Sequence, residues 1–170
     1  MNDAEIQRLI RLPKKISEAP SSTWKVDQAQ RRKDFRLVSL DGQESFRAFA
    51  RQSIQFPENF SVGLEYEPSD GSDGTVLMRC NGPHGDYNFA LNPQHPHFHS
   101  HIHMATEAAI SAGMRAEHNA SRTNEFTTVK EAMRYFLDTI NVDTDGQLEH
   151  FADEVMPTLF EIGEVEDDAT

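Results

Sequence analysis

Residues 92–104 read NPQHPHFHSHIHM, and five of the chain's eight histidines stand there at every second position: His95, His97, His99, His101 and His103. A period of two is that of an extended strand, whose alternate side chains share a face with Cα atoms roughly 6.5–7 Å apart. The residues between are Phe98, Ser100, Ile102 and Met104. The pattern predicts a strand over 97–104. Its Phe98, Ile102 and Met104 side meets the core helices, and His97, His99, His101 and His103 line the other side. Pro96 suits a strand start or edge, so His95 precedes the strand.

Around this run the sequence predicts one α+β domain over 1–160, followed by an acidic mobile tail over 161–170. A chain of 170 residues, 37% hydrophobic and 26% charged, can bury a core of ordinary size. The start reads as a short helix, capped by Asn2 or Asp3, with Ile6, Leu9 and Ile10 on one face and Pro13 ending it. DFRLVSL and SFRAFARQS around Asp41-Gly42 form one expected hairpin. FSVGLEYEP and TVLMRCN around SDGSDG form a second. Thr128 and Glu131 make a capping box, after which Val129, Ala132, Met133, Phe136, Leu137 and Ile140 repeat at helical spacing. A second amphipathic run follows Asp145, with Pro157 kinking or ending it. The expected architecture is a mainly antiparallel sheet of about five to six strands, with these two C-terminal helices packed on one face.

The net charge of −12 is uneven. Residues 1–60 carry 11 Lys and Arg against 8 Asp and Glu, whereas residues 61–170 carry 5 against 20. A basic front half leaves room for a positive patch on an acidic protein, although most such clusters are solvated faces. One cysteine, Cys80, excludes an internal disulfide framework and fits a reducing compartment. With no secretory pattern at the N-terminus and no membrane-length apolar run, the expected location is cytoplasmic.

Imidazoles in register suit three chemistries. Adjacent ones chelate a divalent transition metal such as zinc, which makes His97, His99, His101 and His103 the candidate ligands. A pair divides acid and base work, because a pKa near 6.5 lets one ring be neutral while its neighbour is charged. A protonated row binds phosphate. A solvent-washed polar face is the bland alternative. Upstream, LMRCNGPHGDYN leaves a strand at Arg79 and enters a turn that delivers His84. If the turn folds back, His84 and Arg79 join His97 and His99 as candidate catalytic residues, with the Arg79 guanidinium as a fork for phosphate. Arg79 pairing with a carboxylate is the alternative there. Cys80, on the opposite face, reads as a small buried hydrophobe. ATEAAISA reads as a short helix capped by Thr106 and stopped by Gly113, and MRAEHNAS as a segment that brings Glu117 or His118 toward the site.

The pattern of an arginine at a strand end, a Gly-Pro-His turn, Pro-His-x-His and a capped helix resembles a group of small bacterial proteins that includes the TumE-like toxins of toxin–antitoxin pairs. The resemblance covers about residues 75–140, and RLIRLPKKI is similar to the start of longer members. It implies a compact α+β domain with the histidine motifs gathered on the sheet and, for the toxin branch, activity directed at RNA or translation. The matching positions are Arg79, Pro83, His84, Pro96, His97 and His99. This chain departs from the toxins in lacking an aspartate near Cys80 and Asn81, in continuing through His101 and His103, and in its long ends.

Two function classes follow. The first is a hydrolase acting on phosphodiester bonds, with RNA as substrate or a cognate antitoxin as partner. The second is a non-catalytic protein, either an acidic antitoxin, inhibitor or nucleic-acid mimic that docks on a basic partner, or a metal-binding module.

Overall fold

The structure is a computed structural model that describes residues 1–21, 23–85 and 94–143. The second amphipathic run and the acidic tail lie outside the described residues. Helix α1 (Asp3–Arg11) leads into β1 (Lys14–Glu18), β2 (Lys25–Asp27), β3 (Gln30–Ser39), β4 (Ser45–Ser53), β5 (Phe60–Glu67) and β6 (Thr75–Asn81). A 3-10 turn at Pro96–Phe98 then precedes β7 (His101–Met104), α2 (Glu107–Ser111), β8 (Ala120–Arg122), α3 (Val129–Thr139) and β9 (Val142–Asp143). All nine strands join one sheet, ordered β8-β7-β6-β5-β4-β3-β1-β9 with β2 beside β3. Every pairing is antiparallel except β1 with β9. The fold class and both hairpins agree with the sequence reading. The strand count exceeds five to six because β2, β8 and β9 are only two or three residues long, too short to leave a periodic signal.

Alternation gives the sheet two unlike faces. On one, Phe35, Leu37, Phe46, Ala48, Val62, Leu64, Met78 and Cys80 are buried under α1 and α3. The helices contribute Ile6, Leu9 and Ile10 from α1 and Val129, Met133, Phe136 and Leu137 from α3. Each large apolar side chain buried there contributes roughly 1.5–3 kcal/mol, so truncating Phe136 to Ala is expected to cost about 3–5 kcal/mol. Local signals start both helices as expected. Asn2 Oδ1 accepts from the Glu5 N–H at 2.8 Å, and Thr128 and Glu131 close their reciprocal box at 3.2 and 3.1 Å. Thr106 caps α2, accepting from the Ala109 N–H.

The helices also end in one place. Lys14 is fully buried, and its ammonium donates to the carbonyls of Ile10, Leu12 and Ile140 at 2.8, 2.7 and 3.0 Å. These carbonyls belong to the C-terminal ends of α1 and α3, where the helix dipoles favour a cation. Burial pushes the Lys14 pKa down to about 7. Three carbonyls can be satisfied together only by an ammonium with all three protons, so the contact geometry favours the charged form.

The expected strand over 97–104 is not formed as such. Residues 96–98 make a 3-10 turn, in which the Phe98 N–H donates to the His95 carbonyl and the His99 N–H to the Pro96 carbonyl, both at 3.0 Å. The strand begins at His101. Pro96 explains the difference: its fixed φ and missing N–H suit the first position of a helical turn. Phe98 therefore does not share the core-facing side with Ile102 and Met104, which pack against the core as predicted.

Candidate metal centre

Beyond Asn81 the chain runs through Gly82 and Pro83. A Cβ at Gly82 would lie 1.9 Å from the Glu58 carbonyl oxygen, so only glycine lets the backbone pass. The Gly82 N–H then donates to the Phe60 carbonyl at 3.0 Å, and two residues later the His84 N–H donates to the His97 carbonyl at 2.8 Å. These bonds carry His84 from the end of β6 to the 3-10 turn.

The 3-10 turn does what a strand could not. Residues four apart on a strand have Cα atoms about 13 Å apart. Here the His97 and His101 rings stack with centroids 4.7 Å apart and an interplanar angle of 11°. His84 lies 4.7 Å from His97 and 5.0 Å from His101, ring centroid to centroid. One ligand nitrogen from each of His84, His97 and His101 falls within 4.8 Å of the others. A tetrahedral centre with metal–nitrogen bonds of 2.0–2.1 Å needs about 3.4 Å between nitrogens, so donors up to 4.8 Å apart must draw together to hold one ion. His103 adjoins the trio, 5.0 Å from His101 and 5.4 Å from His97, and His95 contacts His97 at 4.8 Å. Thus His84, His97, His101 and His103 are brought together. The His99 ring is in none of these ring contacts, but its carbonyl accepts from the His101 ring at 2.8 Å.

Backbone carbonyls set the tautomers. A carbonyl only accepts, so Nδ1 of His101 donates to His99 and Nδ1 of His103 donates to Glu117 at 3.0 Å. His103 therefore keeps its Nε2 lone pair for a ligand. His101 Nε2 accepts from the Asn81 side-chain amide at 3.4 Å, a long contact that a ligand would have to displace. A carbonyl behind Nδ1 is the arrangement common for metal-bound histidines. Burial pushes His101 down to about 3, aided by the neighbouring His103, His84 and His97, and pushes His103 down as well, aided by Arg79 and Arg115. These two rings are neutral near pH 7. That state suits ligation or base action and opposes a protonated phosphate-binding row.

Arg79 stands beside His103 in the ladder, and Asn81 beside His101. Arg79 pairs with Glu117 at 3.2 Å, and Glu117 also receives Arg115 at 2.7 Å. Burial would raise the Glu117 carboxyl, but the Arg115 hydrogen bond and the charges of Arg79 and Arg115 bring it below the usual carboxylate range. Burial lowers Arg79. The alternative reading of Arg79, pairing with a carboxylate, is thus present, and Glu117 reaches the site through its carbonyl and through Arg79. His118 is exposed. Cys80 is fully buried on the helix-covered face, and burial pushes its thiol up, as befits a packing residue. Among the described residues, Arg79 Nε, Asn81 Oδ1 and His99 Nε2 are enclosed without a hydrogen-bond partner. Sequence reading passed over Asn81 as a turn residue. Its place two residues after Arg79 on the same strand was the available signal, since period two puts both on one face.

The chain matches no protein-family model, and no curated protein or solved structure matches it. Among the described residues no helix is long and apolar enough to cross a membrane.

Proposed function

We propose that the protein is a metal-assisted hydrolase of phosphodiester bonds, with RNA as its substrate. The convergence of His84, His97 and His101 within 4.8 Å supports this reading most directly. Three imidazoles with open coordination suit a divalent transition metal such as zinc, which when bound would polarise a phosphoryl oxygen and acidify a water. His101 is oriented for that task by the His99 carbonyl. His103 keeps a neutral Nε2 beside the trio, placed to take a proton from the attacking oxygen. Arg79, held by Glu117, orients the phosphate and offsets its charge.

Metal content of protein purified without an affinity tag, followed by an assay on RNA, tests the reading. About one metal per chain and RNA cleavage that disappears in His97→Ala and His101→Ala are expected. Metal-free protein, or full cleavage in both variants, would overturn it. Metal without turnover would make the centre a binding module instead.

A further inference from the structure

Two cavities open beyond the histidines on the sheet face opposite α1 and α3. The nearer, about 210 Å³, has Arg51, Arg79, Ser61 and Asn59 in its wall. The farther, about 320 Å³, has Arg32 and shares Arg51 and Gln30 with the first. The ladder explains their alignment. Arg32, Arg51, Ser61, Asn81 and His101 are direct partners across successive strand pairs. Their side chains therefore share one face in a single row, with backbones about 4.8 Å apart at each step. The row leads from the imidazole trio outward past both cavities.

Its charge has one sign where it is open. Arg32 and Arg51 are exposed and form no ion pair among the described residues. The neighbouring arginines on this face are neutralised: Arg47 pairs with Asp34 and Glu65, and Arg36 with Glu18 and Glu67. Asp27, in the farther cavity, is the sole carboxylate in either wall as described. The Phe49 ring steadies Arg51 and Arg79, with guanidinium carbons 5.2 and 5.5 Å from its centroid. Gly63 gives the ring room, since a Cβ there would lie 2.3 Å from Phe49 Cζ. In the wall of the nearer cavity, the Ser61 hydroxyl and Arg79 Nε are enclosed without a partner among the described residues. A donor in that state is unfavourable, and an oxyanion in the cavity supplies its acceptor.

We propose that this row is a phosphate track for single-stranded RNA. Arg51 and Ser61 take the phosphate flanking the one at the histidines, Arg79 lies between the two with its Nε toward the flanking one, and Arg32 takes a further one. A single unneutralised row fits one backbone rather than the two of a duplex. The proposal rests on reading the histidine site as acting on phosphodiesters.

The probe is a 2′-O-methyl RNA decamer, which resists cleavage, titrated into the full chain at several salt concentrations beside a dinucleotide, a duplex and inorganic phosphate. The decamer is expected to bind more tightly than the dinucleotide or the duplex. Arg51→Ala is expected to weaken it about 3- to 10-fold and to reduce the slope of log affinity against log salt by about 0.7, the share of one phosphate on a single strand. Arg51→Lys should restore the slope, and metal content should match the parent in both variants. Unchanged affinity and slope in Arg51→Ala, no decamer binding, or equal affinity for decamer and dinucleotide would overturn the track. Phosphate binding sensitive to Arg51→Ala without decamer binding would assign the cavity to a small anion, and tighter binding of the duplex would also overturn the single-strand assignment. Decamer binding that needs Arg51 in a protein that cleaves no RNA would uphold the track while removing the proposed reaction.

Discussion

The two ends of the sheet bury polar groups in opposite ways. At the β1 and β9 end, all three Lys14 protons are spent on carbonyls that end two helices. At the β6 and β7 end, His101 and His103 each spend one ring nitrogen on a carbonyl. The second nitrogen meets only a long Asn81 amide contact at His101, 3.4 Å, and no hydrogen-bond partner at His103 among the described residues. Asn81 Oδ1 and Arg79 Nε beside them have no partner among the described residues. A saturated buried group fixes geometry and has nothing left to offer a ligand. A half-satisfied cluster has capacity left, at a cost in stability. The contrast separates a structural pin from a candidate site without reference to any relative.

The sharpest way to break this contrast is to remove one ring from the open end. His101→Ala should lower metal affinity by more than about 100-fold, since even supporting residues around a metal are worth 10–100-fold, while His99→Ala should retain the metal because only its carbonyl serves. Metal analysis after dialysis reads both, and equal losses would contradict the arrangement. At the closed end, Lys14→Met should strand three carbonyls and cost about 3 kcal/mol, a fall in Tm of roughly 6–12 °C for a chain of this size. Metal content should not change. Acid should weaken the open end. The His101 pKa of about 3 lies below its unfolded value near 6.5, so the unfolded chain binds more protons between those limits. The contribution of this ring to the stability of the metal-free protein should be full above pH 6.5 and decline progressively as pH falls toward 3. Denaturant midpoints across that range check it, and a shallower decline in His101→Gln, in which His103 and the Glu117 carboxyl still titrate, would assign the difference to this ring. The smallest effect belongs to neither end. Thr128→Ala opens the α3 capping box and should cost about 1 kcal/mol, read as a fall in Tm of roughly 2–4 °C with metal content unchanged.

Local pattern carried much of this fold. The caps at Asn2, Thr106 and Thr128, the two hairpins and the stripe on α3 rest on interactions between residues a few positions apart, which a sequence displays directly. The same holds for the alternation that sets Arg79 against Cys80 and His101 and His103 against Ile102. The histidine run also marked the end of the sheet where the imidazoles gather. It misled over shape, because period two is shared by a strand and by a segment in which Pro96 starts a turn.

What the sequence determined by itself was which residue types alternate and where helices begin. Only tertiary structure decided which imidazoles meet. His84 and His97 are held by a bond between two separate loops, and Ser61, Asn81 and His101 fall in one row through pairings of strands distant in the chain. Register and loop closure arise from long-range hydrogen bonds, and those leave no trace in the spacing of neighbouring residues.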